Sequence, residues 1–404
     1  MQEIAKFYAT PGFLFPILIG FVIFFFEIKH KTGSHLKLSR VLYSTALAIS
    51  VLLLSPVFSK VEIFGLSVFV LPFESSVLFG LLTLLIGIIH WQREELNYFD
   101  VLTDLGIFSI LSGCFLSPNL PLKLGFAVFL FIFMRLVGYS YRENKELSPL
   151  RSRLFIPTVS IVSLFLMAQF GEMQNHSTLT YPVLIFSILF FCIPPISVGL
   201  DELFSNDFWI GQRNFLIYQL ICIYICVPFL KLFVDPRSPL ILGLSLYFVF
   251  QAIWALARER RWVGFLRSVH FLGLGGVFSI STSGSLELYF ASFISVIPIS
   301  WIFLNFKDDG KMRFLNRVLF FIFIYLILGL PFTFSGKIYE TTLSGEPEIA
   351  IYNVLLLVLK FGFFAACIRF LTKIKDVIKI RYRFNVVLCL FLIGFNGIIF
   401  YLNF

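Results

Sequence analysis

Charge is what this sequence has least of. Only 14% of its 404 residues are charged, while 58% are hydrophobic and the mean hydropathy is +0.92. That composition excludes an ordinary water-soluble globule. Long polar stretches are missing too. The gaps between apolar runs are under about 20 residues, too short to fold as an extramembrane domain, so any catalysis on a soluble substrate needs a site within or beside the bundle. The six cysteines have no metal-ligand or iron–sulfur spacing. Cys222 and Cys226 share a helix face but have no His or carboxylate neighbour, and all six read as small apolar packing residues. There is no Gly-rich phosphate loop, so no redox or nucleotide cofactor is expected on this chain. The opening segment, MQEIAKFYATPG, lacks a basic n-region and a small-residue cleavage site, which makes the first apolar run a span rather than a signal peptide. The net charge of +9 is no footprint for nucleic acid, because in a membrane protein it mostly reports loop orientation. The 54 phenylalanines read as lipid-facing bulk rather than an aromatic cage.

What is present is apolar runs of bilayer length, about 20 residues each. Fourteen candidate spans lie near 11–28, 41–58, 75–90, 100–117, 121–139, 153–170, 180–199, 214–234, 239–257, 262–281, 285–306, 314–335, 348–370 and 384–403. Charge supports the segmentation independently. Alternate loops, starting after the first span, carry 24 basic residues, from Lys29 and Arg40 through the single Arg93 and the single Arg213 to Lys379 and Arg383. The other set holds five: Lys60, Lys123, Lys231, Arg237 and Lys337. The rich loops are expected on the cytoplasmic side, and an even number of spans puts both termini on the outer side of the cell inner membrane. The expected fold is an all-α polytopic membrane protein, with residues 1–404 forming one transmembrane domain.

One stretch organises the chain: Leu326 to Glu340, LILGLPFTFSGKIYE. Pro331 has no N–H to donate and clashes with the preceding turn, so the span must break there. Lys337 follows the break, and an ionisable group at membrane depth is a functional candidate by default. Span 7 carries a matching interruption at Pro194 and Pro195. If spans 4–8 (100–234) and 9–13 (239–370) are two five-helix units, both breaks fall in the fourth helix of their unit. An odd number of spans per unit inverts the second relative to the first. Matching breaks in inverted halves point to a transport pathway, although prolines are also common in transmembrane helices.

Three stretches then carry a resemblance. They are Leu136 to Arg142 with Leu147, then Ala255 to Arg261 continuing through Ser268, His270, Leu272 and Gly273, and finally Gly329-Leu330-Pro331-Phe332-Thr333 with Gly336-Lys337-Ile338-Tyr339. In this order and on these helices they resemble the antiporter-like membrane subunits of complex I, NADH-quinone oxidoreductase subunit N in particular. The likeness runs roughly from span 3 to span 13. It implies a proton-translocating membrane-arm subunit with no redox centre of its own, whose partners are other membrane subunits, the lipid bilayer and protons.

The resemblance also implies a row of buried ionisable residues that passes protons at mid-membrane: a glutamate on helix 5, lysines on helices 7 and 8, and a lysine or glutamate on helix 12. A lysine in low dielectric tuned by a carboxylate suits that task. Here the row departs from the family. Aligned with the family, Ala127 stands at the glutamate, Phe190 at the first lysine and Cys222 or Ile223 at the second, leaving Lys337, which lies two residues closer to its proline than the family's pattern has it. Apolar side chains cannot relay protons. Other intramembrane ionisables are Asp104 and Arg135, which either pair or sit near helix ends; Lys231, able to snorkel; His270, either a hydrogen-bonded interhelical residue or a proton carrier; and Lys360, expected to face the bundle interior. Lys337, His270 and Lys360 are candidates for a polar path in the second unit.

Three functions compete on this reading. The first is a proton-conducting subunit of an NADH-quinone oxidoreductase-like complex. The second is a subunit of the same fold with a structural, non-conducting role. The third is a polytopic enzyme acting on lipid-linked substrates, for which Asp201, Glu202 and Asp207 are the only candidate cluster.

Overall fold

A computed structural model describes residues 11–30, 36–55, 62–63, 66–67, 71–93, 98–117, 122–123, 125–127, 129–130, 132–134, 208–222, 239–258, 262–279, 286–303, 313–329, 347–373, 390–398 and 401. The described elements are helical apart from one short hairpin. In chain order they are α1 (Pro11–His30), α2 (Leu36–Leu53), β1 (Glu62–Ile63), β2 (Leu66–Ser67), α3 (Phe73–Gln92), α4 (Tyr98–Leu116), α5 (Phe208–Gln219), α6 (Pro239–Arg258), α7 (Trp262–Ser279), α8 (Leu286–Phe303), α9 (Arg313–Ile327) and α10 (Pro347–Lys373). Helix is the expected form wherever apolar backbone must satisfy its own hydrogen bonds away from water.

The predicted spans and the helices agree to within a few residues at most of these positions, while spans 6 and 7 lie outside the described residues. Phe73–Gln92, Ile241–Arg258 and Ile351–Phe370 are long and apolar enough to cross a membrane; Leu14–Phe25, Gly125–Met134, Gly264–Phe278 and Leu286–Pro298 are shorter apolar helices. The hairpin is a small departure from the all-helical expectation. β1 and β2 pair antiparallel with Ile63 opposite Leu66, in the link between the second and third spans. The Leu71 N–H donates to the Leu54 carbonyl at 3.0 Å, which draws the two ends of that link together.

The chain divides into two compact units, Met1–Ile221 and Cys222–Phe404. In the first, α1 packs on α2 and α4, α2 on α3 and α4, and α3 on α4 and α5. In the second, α6 packs on α7 and α10, and α8 packs on α9. Close approach depends on glycine at defined points. A Cβ on Gly275 of α7 would lie 2.9 Å from a Val249 methyl and 3.1 Å from the Ser245 carbonyl of α6. Ser245 uses that proximity, donating its hydroxyl to the Gly275 carbonyl at 2.6 Å while accepting from Tyr352 of α10 at 2.8 Å.

Phenylalanine serves both surfaces of the bundle. Phe21, Phe25, Phe250 and Phe361 are exposed, as lipid-facing bulk should be, but Phe79, Phe108, Phe248, Phe265 and Phe278 are fully buried. The buried rings stack on one another, as in Phe248 with Phe278 at 5.4 Å and Phe265 with Phe370 at 5.9 Å. Offset ring contacts add to dispersion where lipid supplies no hydrophobic drive between helices. Buried hydroxyls return to their own helix: Thr83 donates to the Phe79 carbonyl at 2.7 Å and Ser117 to the Gly113 carbonyl at 2.6 Å.

Candidate functional site

The first unit holds a buried cluster of ionisable side chains. His90 lies in the last turn of α3, and Arg93 follows where the chain leaves the helix in an extended conformation. Asp100 and Asp104 are one turn apart on α4, so both carboxylates fall on one face. Arg213 comes from α5. All five side chains are buried. Asp104 lies at the centre. Its Oδ1 accepts from Arg213 Nη1, its Oδ2 accepts from His90 Nδ1 at 2.5 Å, and Arg93 Nη1 stands 3.7 Å from Oδ2. Arg93 also donates to Asp100 at 2.8 Å. Arg213 continues into Asn214 Oδ1 through Nε at 3.2 Å and Nη2 at 3.0 Å.

The neighbouring helix seals this cluster. Tyr43 of α2 stacks on the His90 ring with centroids 4.2 Å apart. Arg40 Nη2 donates to the Arg93 carbonyl at 2.9 Å, giving that group a partner beyond the helix end, and its guanidinium lies 5.9 Å from the Trp91 ring. Trp91 Nε1 in turn donates to Ser44 at 2.6 Å. Two arginines facing two aspartates, with a histidine on one of them, leave each buried ion with a partner of opposite sign, the condition under which charge survives in low dielectric.

In the second unit the break after α9 is built from glycine. The helix ends at Ile327, Leu328 N–H still reaches the Ile324 carbonyl at 3.0 Å, and Gly329 N–H closes a tighter turn on Leu326 at 3.2 Å. Gly329 has φ 59°, the left-handed conformation that ends helices and that residues with a Cβ resist. The helix therefore stops at Ile327, and the left-handed Gly329 lies two residues before Pro331. Lys360 of α10 brings its Nζ to 3.4 Å from the Gly329 carbonyl and is itself buried. A cation at the carbonyl end of a helix meets both unsatisfied acceptors and the negative pole of the helix dipole. His270 is fully buried on α7, its ring 5.7 Å from that of Phe271. Asn396, in the helical stretch 390–398, clasps α8 by donating to Ser295 and accepting from Ser292, both at 2.5 Å.

The candidates from sequence separate accordingly. Asp104 joins His90, Arg93 and Arg213, and Arg135 lies outside the described residues. Lys360 meets the backbone of the Gly-Leu-Pro break. Ala127 is buried, as is Cys222, which sits in a wider π turn that continues α5 over 220–222. Lys337, Pro331, Pro194, Pro195, Phe190, Lys231 and the Asp201, Glu202 and Asp207 group lie outside the described residues. Sequence reasoning missed His90 altogether and counted Arg93 and Arg213 as loop charges. The available clue was their isolation: each is the single basic residue of its loop, and each has a membrane carboxylate to meet. Among the described residues, no group of three or more His, Cys, Asp or Glu side chains could hold a metal ion.

No protein-family model matches this chain. No curated protein matches it in sequence. Its fold is similar to that of a chain in respiratory complex I from Thermus thermophilus with bound aureothin, with a TM-score of 0.63 and 12% sequence identity over 96% of this chain and 97% of that one.

Proposed function

We propose that this chain is a membrane-arm subunit of a respiratory NADH-quinone oxidoreductase-like complex, of the subunit N kind, and that it contributes to proton translocation. It would lie in the cell inner membrane with both termini on the outer side and without a redox centre of its own. The observation that carries the reading is the fold likeness to a complex I chain, which runs nearly end to end on both sides. The motifs around Leu136, Arg258 and Gly329 point the same way.

Proton translocation is supported by the second unit. Lys360 stands at the open carbonyl end of α9, where gain or loss of its charge alters the helix break directly. His270 adds a buried titratable ring on α7, and Lys337 follows the break in sequence. A second reading, a structural subunit that does not conduct, draws on Ala127 and Cys222, which bury apolar side chains at two positions of the family's relay.

The test has two stages. A tagged copy should co-purify with other respiratory membrane subunits, and isolation without them would end the proposal of membership. In the reconstituted complex, Lys360→Met should lower the number of protons moved per electron by this subunit's share. Unchanged flux for Lys360→Met and for Lys337→Met together would leave the structural role.

A further inference from the structure

We propose that Nε2 of His90 is a proton-accepting site in the first unit, placed away from the family's relay and built by the aspartate beneath it. Asp104 accepts from Arg213 on one oxygen and faces Arg93 and His90 with the other, so the proton in the 2.5 Å contact belongs to His90 Nδ1. A histidine that donates from Nδ1 to a carboxylate has its tautomer and ring orientation fixed, and its Nε2 is left with the lone pair that can accept a proton. Among the described residues, that Nε2 is buried without a hydrogen-bond partner, and so is the Oη of Tyr43, the ring stacked on it. Buried nitrogen and oxygen atoms left bare in this way are rare and mark a catalytic role or a polar guest such as water.

The charges around the ring come from each helix packed against it. Arg40 and Tyr43 belong to α2, Arg93 follows α3, Asp100 and Asp104 belong to α4, and Arg213 belongs to α5. At the core, Arg93 and Arg213 balance Asp100 and Asp104. A neutral His90 leaves that core neutral, and a proton on Nε2 makes it a single positive charge with Asp104 directly opposite. The step is a transfer from hydronium or a water chain to the Nε2 lone pair. One N–H bond forms, one O–H bond breaks, and the imidazolium returns the proton to the next acceptor. The cluster sits at the C-terminal end of α3 and in the N-terminal halves of α4 and α5. Ala127 and Cys222 leave the aligned row apolar, and His90 supplies the first unit with a titratable group elsewhere. The proposal concerns the chain alone and stands whether or not the chain belongs to a respiratory complex.

The experiment is nitrogen NMR of the histidine-labelled full chain in lipid nanodiscs. His90→Asn identifies the resonance; its amide can still donate to Asp104 from the position of Nδ1, so the helix contact is kept while the accepting nitrogen is lost. The His90 ring is expected to carry its proton on Nδ1 at high pH and to gain a second on Nε2 as the pH is lowered. Asp104→Asn should lower the proton affinity of that nitrogen at least tenfold, since the opposing charge is gone. A His90 ring that keeps one protonation state over the whole range, or that carries its single proton on Nε2, overturns the proposal. If Asp104→Asn does not fold, the wild-type titration still decides.

Discussion

Removing the charge of Asp104 should unfasten the first unit, and the cost follows from its partners. In Asp104→Asn, Arg213 loses the carboxylate oxygen it grips, His90 loses its anionic acceptor and Arg93 loses a charge 3.7 Å away. At an effective dielectric of about 20, one unit charge at 3.7 Å contributes about 4 kcal/mol of attraction. Desolvation of each ion costs several kcal/mol, so the intact cluster adds little net stability. Breaking it is another matter, because Arg213 stays buried and loses its ionic partner. The expected loss is about 3–5 kcal/mol. Arg213→Met should cost less, because Asp104 keeps His90 and Arg93. Asp104→Asn combined with Arg213→Met should cost less than the sum of the parts, with a coupling of about 2–3 kcal/mol. The assay is denaturant unfolding of the full chain in mixed micelles, followed by tryptophan fluorescence. A loss below about 0.5 kcal/mol for Asp104→Asn, or strict additivity in the double variant, would refute this view of the cluster.

Two further substitutions address the second unit. Gly329→Ala forces a Cβ into the left-handed turn and should cost about 1–2 kcal/mol in the same unfolding assay, with protease cleavage rising near the break. Gly275→Ala places a methyl 3.1 Å from the Ser245 carbonyl and should cost about 1–3 kcal/mol, together with loss of the Tyr352–Ser245 contact; stability equal to wild type would show that α6 and α7 can separate freely.

Much of the helical plan was legible because apolar length and alternating loop charge are properties of contiguous sequence. Pattern located α6 from its first residue, and the break after α9 was expected from Gly-Leu-Pro. The helix nevertheless ends before Pro331, because the left-handed glycine, rather than the missing proline N–H, sets the stop. The site was far less legible. Asp104 was visible as a charge out of place, yet its partners come from α3 and α5, 14 and 109 residues away. No local pattern joins them. Lys360 was expected to face inward, and a backbone carbonyl as its partner leaves no mark in the sequence at all.

Those separations also set an order of biogenesis. At about 5–20 residues per second, the 109 residues between Asp104 and Arg213 take about 5–20 s to synthesise, and the 31 residues between Gly329 and Lys360 take about 2–6 s. Asp104 therefore leaves the ribosome with His90 already made, and this neighbour can mask the carboxylate while Arg213 is still untranslated. The carbonyl end of α9 has no such early escort from lysine. Insertion of α9 and α10 as a pair would spare the open helix end a wait in hydrocarbon, so a ribosome stalled between them should leave the nascent chain exposed to membrane quality-control proteases.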